Sequence, residues 1–201
     1  MKKISRAELN LLLKASHLAA LELEVMHPLD VYHLHKWDHD IAFWEDDSLG
    51  NECVPMREFY FDMNEMLAFF LGYIRQLSFS QAYIAPPWGG RFIGRPYNER
   101  FAPVVSEVTA FLHARGMRIN SAAALMANKQ ELIDSAAMLS EAGFLGMSWM
   151  HMFIPEAGIA IEPHHHMNYL IYTHEKEAQK ALISEVTESL DLVRLFERDD
   201  S

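Results

Sequence analysis

A Gly-rich, Pro-bounded loop constrains this chain more than any other stretch. It reads Ala85-Pro86-Pro87-Trp88-Gly89-Gly90-Arg91-Phe92-Ile93-Gly94-Arg95-Pro96 and leaves the strand-like stretch 81–85. Two consecutive prolines stop a strand, because proline has no amide hydrogen to give a ladder. Glycines next to the stop leave backbone amides unshielded, and such amides can bind phosphate groups. A helical pattern follows, with Val104, Val105, Val108, Phe111 and Leu112 on one side and Gly116 as its stop.

The surroundings of that loop predict an α+β fold with a mixed central sheet and flanking helices. Residues 5–26 read as a helix opened by a Ser5/Glu8 capping box. A second helical pattern runs through Val31, Leu34, Ile41 and Trp44. Within 57–85 the dense aromatics predict three strands, the last at 81–85, although Met63, Met66, Leu67, Phe70 and Ile74 also fit a helix face. Residues 118–126 suit a strand or the front of the next helix, and 131–142 predict a helix closed by Gly143. Residues 149–154 and 159–161 predict a hairpin, 167–172 a strand, 175–186 a helix and 192–196 a last strand. With no repeat and no linker, the reading is one α+β domain over 1–201. It has a helical section at 1–50, a core at 57–154 and C-terminal strands and helix at 155–197.

Composition excludes some functions. Lys and Arg number 17 against 28 Asp and Glu, a formal charge of −11. That balance argues against nucleic acid, which needs cationic neutralisation of phosphates. Half the residues are hydrophobic, enough for a core. The longest apolar run, 66–74, is too short to span a bilayer. Cys53 is the only cysteine, and the first residues make a poor signal peptide. The expectation is a cytoplasmic protein acting on a small-molecule substrate, with neither nucleic acid nor membrane as partner.

Ile84 and Pro86 at a strand end, Gly94 in the loop, Gly116, Asn128 and Gly143-Phe144 follow one another in an order that resembles the GNAT superfamily of N-acetyltransferases over residues 57–154. The loop departs from that family's pattern, with Gly89 in its Gln/Arg position and Phe92 at its middle glycine. Leu139 stands where many members have a tyrosine. The resemblance implies an N-acetyltransferase moving an acyl group from acetyl-coenzyme A to a small-molecule or protein amine, and a splayed pair of parallel strands around Ile84 and Trp149. It implies a cofactor site at Ala85, Gly89, Gly90, Arg91, Gly94, Arg95 and Asn128. The two arginines would neutralise phosphate there. A carboxylate to take the acceptor's proton would come from Glu58, Asp62 or Glu99.

The eleven histidines suggest a different chemistry. His35 and His39 share a face if their segment is helical, a spacing used by paired metal ligands. His164-His165-His166 lies between two predicted strands, where alternation sends His164 and His166 to one face and His165 to the other. His35, His39, His164 and His166 are therefore candidate ligands for a divalent transition metal, which imidazole suits. They define a metal-dependent small-molecule enzyme as the alternative, built around the 33–39 histidines. An acidic, non-catalytic binding or immunity-type protein is a third class.

Overall fold

The computed structural model describes residues 1–34, 56–86, 91–93, 101–148 and 150–196, with 56–58 described by their backbone alone. In chain order the elements are β1 (Lys2–Ile4), α1 (Arg6–Ala15), α2 (Ala20–Val25), β2 (Leu29–His33), α3 (Met56–Gln76), β3 (Gln81–Ala85) and α4 (Ala102–His113). They continue with β4 (Ala124–Asn128), α5 (Lys129–Phe144), β5 (His151–Ile154), β6 (Ile159–His164), β7 (Asn168–Thr173), α6 (Lys176–Thr187) and β8 (Val193–Phe196). The eight strands form one sheet in the order β1-β4-β3-β5-β6-β7-β2-β8. The α+β class is as the sequence predicts. The sheet is antiparallel at every pairing rather than mixed.

Alternation along the strands gives the sheet two apolar faces. On one face Ile84, Leu125, Met152, Ile161, Tyr169 and Val31 meet α3, α4, α5 and α6. On the other, Tyr83, Ala85, Ala124, Phe153 and Ala160 meet Leu9, Leu13 and Leu23 of α1 and α2. The first face centres on Tyr169. Its ring stacks on Phe70 at 5.2 Å and meets Phe144 edge-on at 5.1 Å, and its hydroxyl bonds Ser140 Oγ at 2.6 Å. Each such aromatic, removed from water, contributes about 1.5–3 kcal/mol, and the hydroxyl is satisfied where it is buried.

Four readings of the sequence need correction. Residues 57–76, expected as strands, belong to the 21-residue helix α3. Its buried residues Phe59, Met63, Met66, Phe69, Phe70, Tyr73 and Ile74 cover a wide stripe, because the sheet, α5 and α6 all pack against it. The strand meander that motivated the acyltransferase reading is therefore replaced by a helix. Ile84 pairs with Met152 in antiparallel register, where the resemblance implied a splayed parallel pair. Leu29–His33 is a strand and not the front of a helix, with its buried and half-buried residues alternating. The first helix is two helices, broken where His17 takes a positive φ of 56°.

The remaining elements follow from local chemistry. Ser5 and Glu8 form the expected capping box on α1. Asn128 and Glu131 form a second one at the start of α5. Gly143, expected to end α5, sits inside it, pressed against Pro163 of β6. The β5–β6 hairpin closes through a 3-10 turn at Pro155–Ala157 and Gly158, whose φ of 64° suits a residue without Cβ. Among the described residues no helix is long and apolar enough to cross a membrane.

Candidate functional site

Antiparallel register gathers chemistry-bearing side chains at one end of the sheet. β2 ends at His33, β3 ends at Ala85, β5 begins at His151, and β6 turns into β7 through His164, His165 and His166. His164 pairs with Asn168, so only three residues, 165–167, connect the two strands. Three-residue hairpin loops commonly end on a residue in the left-handed region. Here that residue is Met167, with φ 56° and its side chain fully buried. A non-glycine residue in this conformation costs about 1–2 kcal/mol, and burial of the methionine side chain offsets it.

The tight turn overrides the strand alternation expected of the three histidines. Their rings face one another, with centroids 4.1 Å apart for His164 and His165, 4.4 Å for His164 and His166, and 3.9 Å for His165 and His166. One donor nitrogen from each lies within 4.8 Å of the other two. His165, which alternation had sent to the opposite face, completes the trio. Among the described residues this is the one group of three or more potential ligands so close together.

The surroundings of the trio are polar and fixed. His164 Nδ1 lies 3.2 Å from Asn168 Oδ1, and Asn168 Nδ2 donates to Asp30 Oδ1 at 2.6 Å. Below the turn, Pro163 lies beyond Ile161, the last residue of β6 paired with β5, so its missing amide hydrogen disrupts no bond there. A cavity of about 20 Å³, room for one water molecule, is lined by Gly143, Gly146 and Ser148 together with the stretch from Glu162 to His165.

Two residues before His164, on the same side of β6, lies Glu162. It is nearly buried, and its Oε2 accepts from the Tyr172 hydroxyl at 2.9 Å and lies 3.4 Å from His151 Nε2. Burial holds the Glu162 carboxyl above the usual carboxylate range, against the opposing pull of the Tyr172 hydrogen bond. Burial and the facing carboxyl push the Tyr172 hydroxyl up as well. The His151 ring stacks between Phe153 at 5.8 Å and Tyr172 at 5.6 Å.

On the opposite face, at the same end, His33 lies between two carboxylates of α3. Its Nδ1 is 3.5 Å from Asp62 Oδ2 and its Nε2 2.9 Å from Glu65 Oε2. Asp62, a candidate proton acceptor in the sequence, is 1% exposed and clasps α3 to β2.

The other sequence candidates do not come together. Ala85 pairs with His151, whereas Asn128 pairs with Gln81 at the other end of β3. Four residues of strand, about 13 Å, separate the two positions along β3. Asn128 caps α5. Arg91 is exposed, next to Phe92 and Ile93, which are buried. The Phe92 amide donates to Ile119 O and its carbonyl accepts from Ser148 Oγ. Arg6 donates to the Pro86 carbonyl at 2.7 Å, fixing the strand exit. Gly89, Gly90, Gly94, Arg95, Glu99, His35 and His39 lie outside the described residues, and Glu58 is described only as backbone within α3.

A larger pocket of about 240 Å³ opens between α4 and α5, near Asn128. Two of its charged groups serve the fold. Glu131 bonds the amino group of Met1 and the Asn128 amide, and Arg115 lies over the Phe111 ring at 3.7 Å. Comparison with protein families, curated proteins and solved structures found no match. The functional reading therefore rests on the residues of this chain.

Proposed function

We propose that this chain binds a divalent transition-metal ion through His164, His165 and His166 and uses it for Lewis-acid chemistry on a small polar substrate. The observation that carries the reading is the convergence of three imidazoles on one short hairpin, with donor nitrogens within 4.8 Å. A zinc–nitrogen bond of about 2.0–2.1 Å places tetrahedral ligands about 3.4 Å apart, so ring rotations that close up to roughly 1.4 Å complete the set. Three protein ligands leave a fourth position for water or substrate, the pattern of catalytic rather than structural sites. Glu162, on the same strand face and in the lining of the same small cavity as His164, supports a catalytic reading, since a carboxyl there would supply a proton donor or acceptor beside the ion. The acidic chain also favours a cation.

The test uses untagged protein stripped with chelator and titrated with Zn2+ by calorimetry. The expected result is one ion per chain at micromolar affinity or better, with at least a hundredfold loss in the His164→Ala/His166→Ala variant. Saturation at a hundred times Kd should stabilise the fold by about 2.7 kcal/mol. Absence of heat at millimolar Zn2+, or unchanged affinity in the double variant, would end the proposal. A panel of chromogenic esters and phosphate esters then tests the catalytic part: turnover should be lost on stripping and restored by Zn2+.

A further inference from the structure

We propose that Asp30 and Asn168 are positioning residues for the histidine trio: they hold His164 as the Nδ1–H tautomer, so that Nε2 is the nitrogen it offers to a metal. The proposal rests on the metal reading above for its purpose, but its geometry stands separately.

The argument is a series of forced donor and acceptor choices across three neighbouring strands. Asp30 lies on β2, Asn168 on β7 and His164 on β6. An ionised carboxylate only accepts hydrogen bonds. The group 2.6 Å from Asp30 Oδ1 must therefore be the amide nitrogen of Asn168 and not its oxygen. That choice fixes the whole amide, because its oxygen then faces the other way, 3.2 Å from His164 Nδ1. An amide oxygen also only accepts, so the proton between them belongs to His164 Nδ1. In a neutral imidazole one nitrogen carries hydrogen and the other the lone pair, so Nε2 carries the lone pair. Reversing the Asn168 amide would set oxygen against carboxylate and is excluded by the same reasoning.

Asn168 is buried, and the cross-strand register fixes where both partners of His164 sit. His164 is opposite Asn168, and Asn168 is opposite Tyr32, two residues along from Asp30 on β2. The relay therefore depends on β2, β6 and β7 being assembled. Outer groups that bond the second nitrogen of a metal-bound histidine set its tautomer and orientation, and their loss commonly weakens metal binding 10–100-fold. Neither Asp30 nor Asn168 belongs to the converging donor set itself.

The experiment reads tautomer and metal separately. Long-range proton–nitrogen NMR of metal-free 15N-labelled protein at pH 8, with the His164 signals assigned by loss in His164→Gln, should show a protonated Nδ1 and a lone-pair Nε2. Asp30→Leu removes the acceptor and should give a mixture of the two tautomers and a tenfold or greater loss of Zn2+ affinity. Asp30→Asn, which still offers an oxygen to the Asn168 amide, should restore both. A wild-type His164 carrying its proton on Nε2 would overturn the proposal without any variant, and so would an unchanged tautomer in folded Asp30→Leu. If the tautomer is as expected but Zn2+ does not bind, the metal reading fails and takes the proposed purpose of the relay with it. If Zn2+ binds and the tautomer is wrong, only the relay fails.

Discussion

Gly143→Ala should destabilise this protein even though it places a better helix former in the interior of α5. In an open helix the exchange would stabilise by about 0.8–1 kcal/mol. At position 143 a Cβ would lie 2.4 Å from the Pro163 carbonyl oxygen and 2.7 Å from the Pro163 Cβ and Cγ atoms. Ordinary contact begins at 3.4 Å, so α5 and β6 would have to separate by roughly 1 Å. A backbone carbonyl and a proline ring cannot rotate away, so the cost falls in the upper part of the 1–3 kcal/mol range for overpacking. Net of the helix gain, the loss is about 1–2 kcal/mol. With a urea dependence near 3 kcal/mol per molar, the midpoint should fall by about 0.5 M. Gly72→Ala is the control. Its Cβ would meet only the Val186 Cγ1 atom, at 2.9 Å, a single side-chain methyl rather than a backbone carbonyl and a ring. That variant should stay within about 0.5 kcal/mol of wild type. A Gly143→Ala midpoint equal to or above wild type would show that the α5–β6 approach is looser than described. Because Pro163 adjoins His164, the same variant should also weaken Zn2+ binding.

Three further outcomes are expected. Asn128→Ala should cost about 1 kcal/mol through loss of its cap on α5; a calorimetric melt measures this, and Zn2+ affinity at the other end of the sheet should not change. Glu162→Gln should alter the pH dependence of stability. The folded carboxyl holds its proton to higher pH than the unfolded one, so wild type loses stability as pH rises from the unfolded value near ~4.3 through the raised one. The variant lacks that loss and should gain on wild type between pH 4 and pH 7 in urea melts; an equal difference at both pH values would count against it. Met167→Gly relieves a positive φ worth about 1–2 kcal/mol but removes a buried methionine worth about 2–5 kcal/mol. Its Tm should therefore fall, and a rise would show that the turn and not the side chain sets the balance.

Where one local signal decided, the sequence was readable. The Pro86-Pro87 pair bounded β3, Gly116 closed the α4 pattern, and β6, β7 and β8 fell within a few residues of the strands expected. The Ser5/Glu8 box started α1 where expected. α3 escaped because helix faces in contact with three partners lose the narrow apolar stripe that identifies them. Its aromatic residues then looked like those of a strand. β2 was misread because five residues of alternation were merged with a longer helical pattern. At the site, two of the three converging histidines were named, and His165 was lost by extending strand alternation into a turn. Asp30 and Asn168 could not be found at all, since 138 residues separate them and only cross-strand register brings them together.

The position of the histidine turn has a physical logic that composition alone does not convey. Metal ligands gain affinity when ordering is already complete before the ion arrives. Three separate constraints act on this turn. Gly143 lets α5 press directly on Pro163, so the strand beneath the turn cannot slide. Met167 anchors the far side, since its left-handed backbone and buried side chain hold each other in place. Asp30 and Asn168 fix the ring of His164 from the neighbouring strands. Solvent-exposed histidines on a free loop would need none of these and would lose side-chain entropy on closing around an ion. The ordering that a metal site requires is here supplied by packing that also stabilises the sheet. Gly143→Ala and Asp30→Leu should therefore both weaken Zn2+ binding, whereas Asp30→Asn should not, and the losses of affinity should not scale with the losses of stability. If Zn2+ affinity instead followed stability across both positions, the turn would owe its shape to global folding rather than to these local constraints.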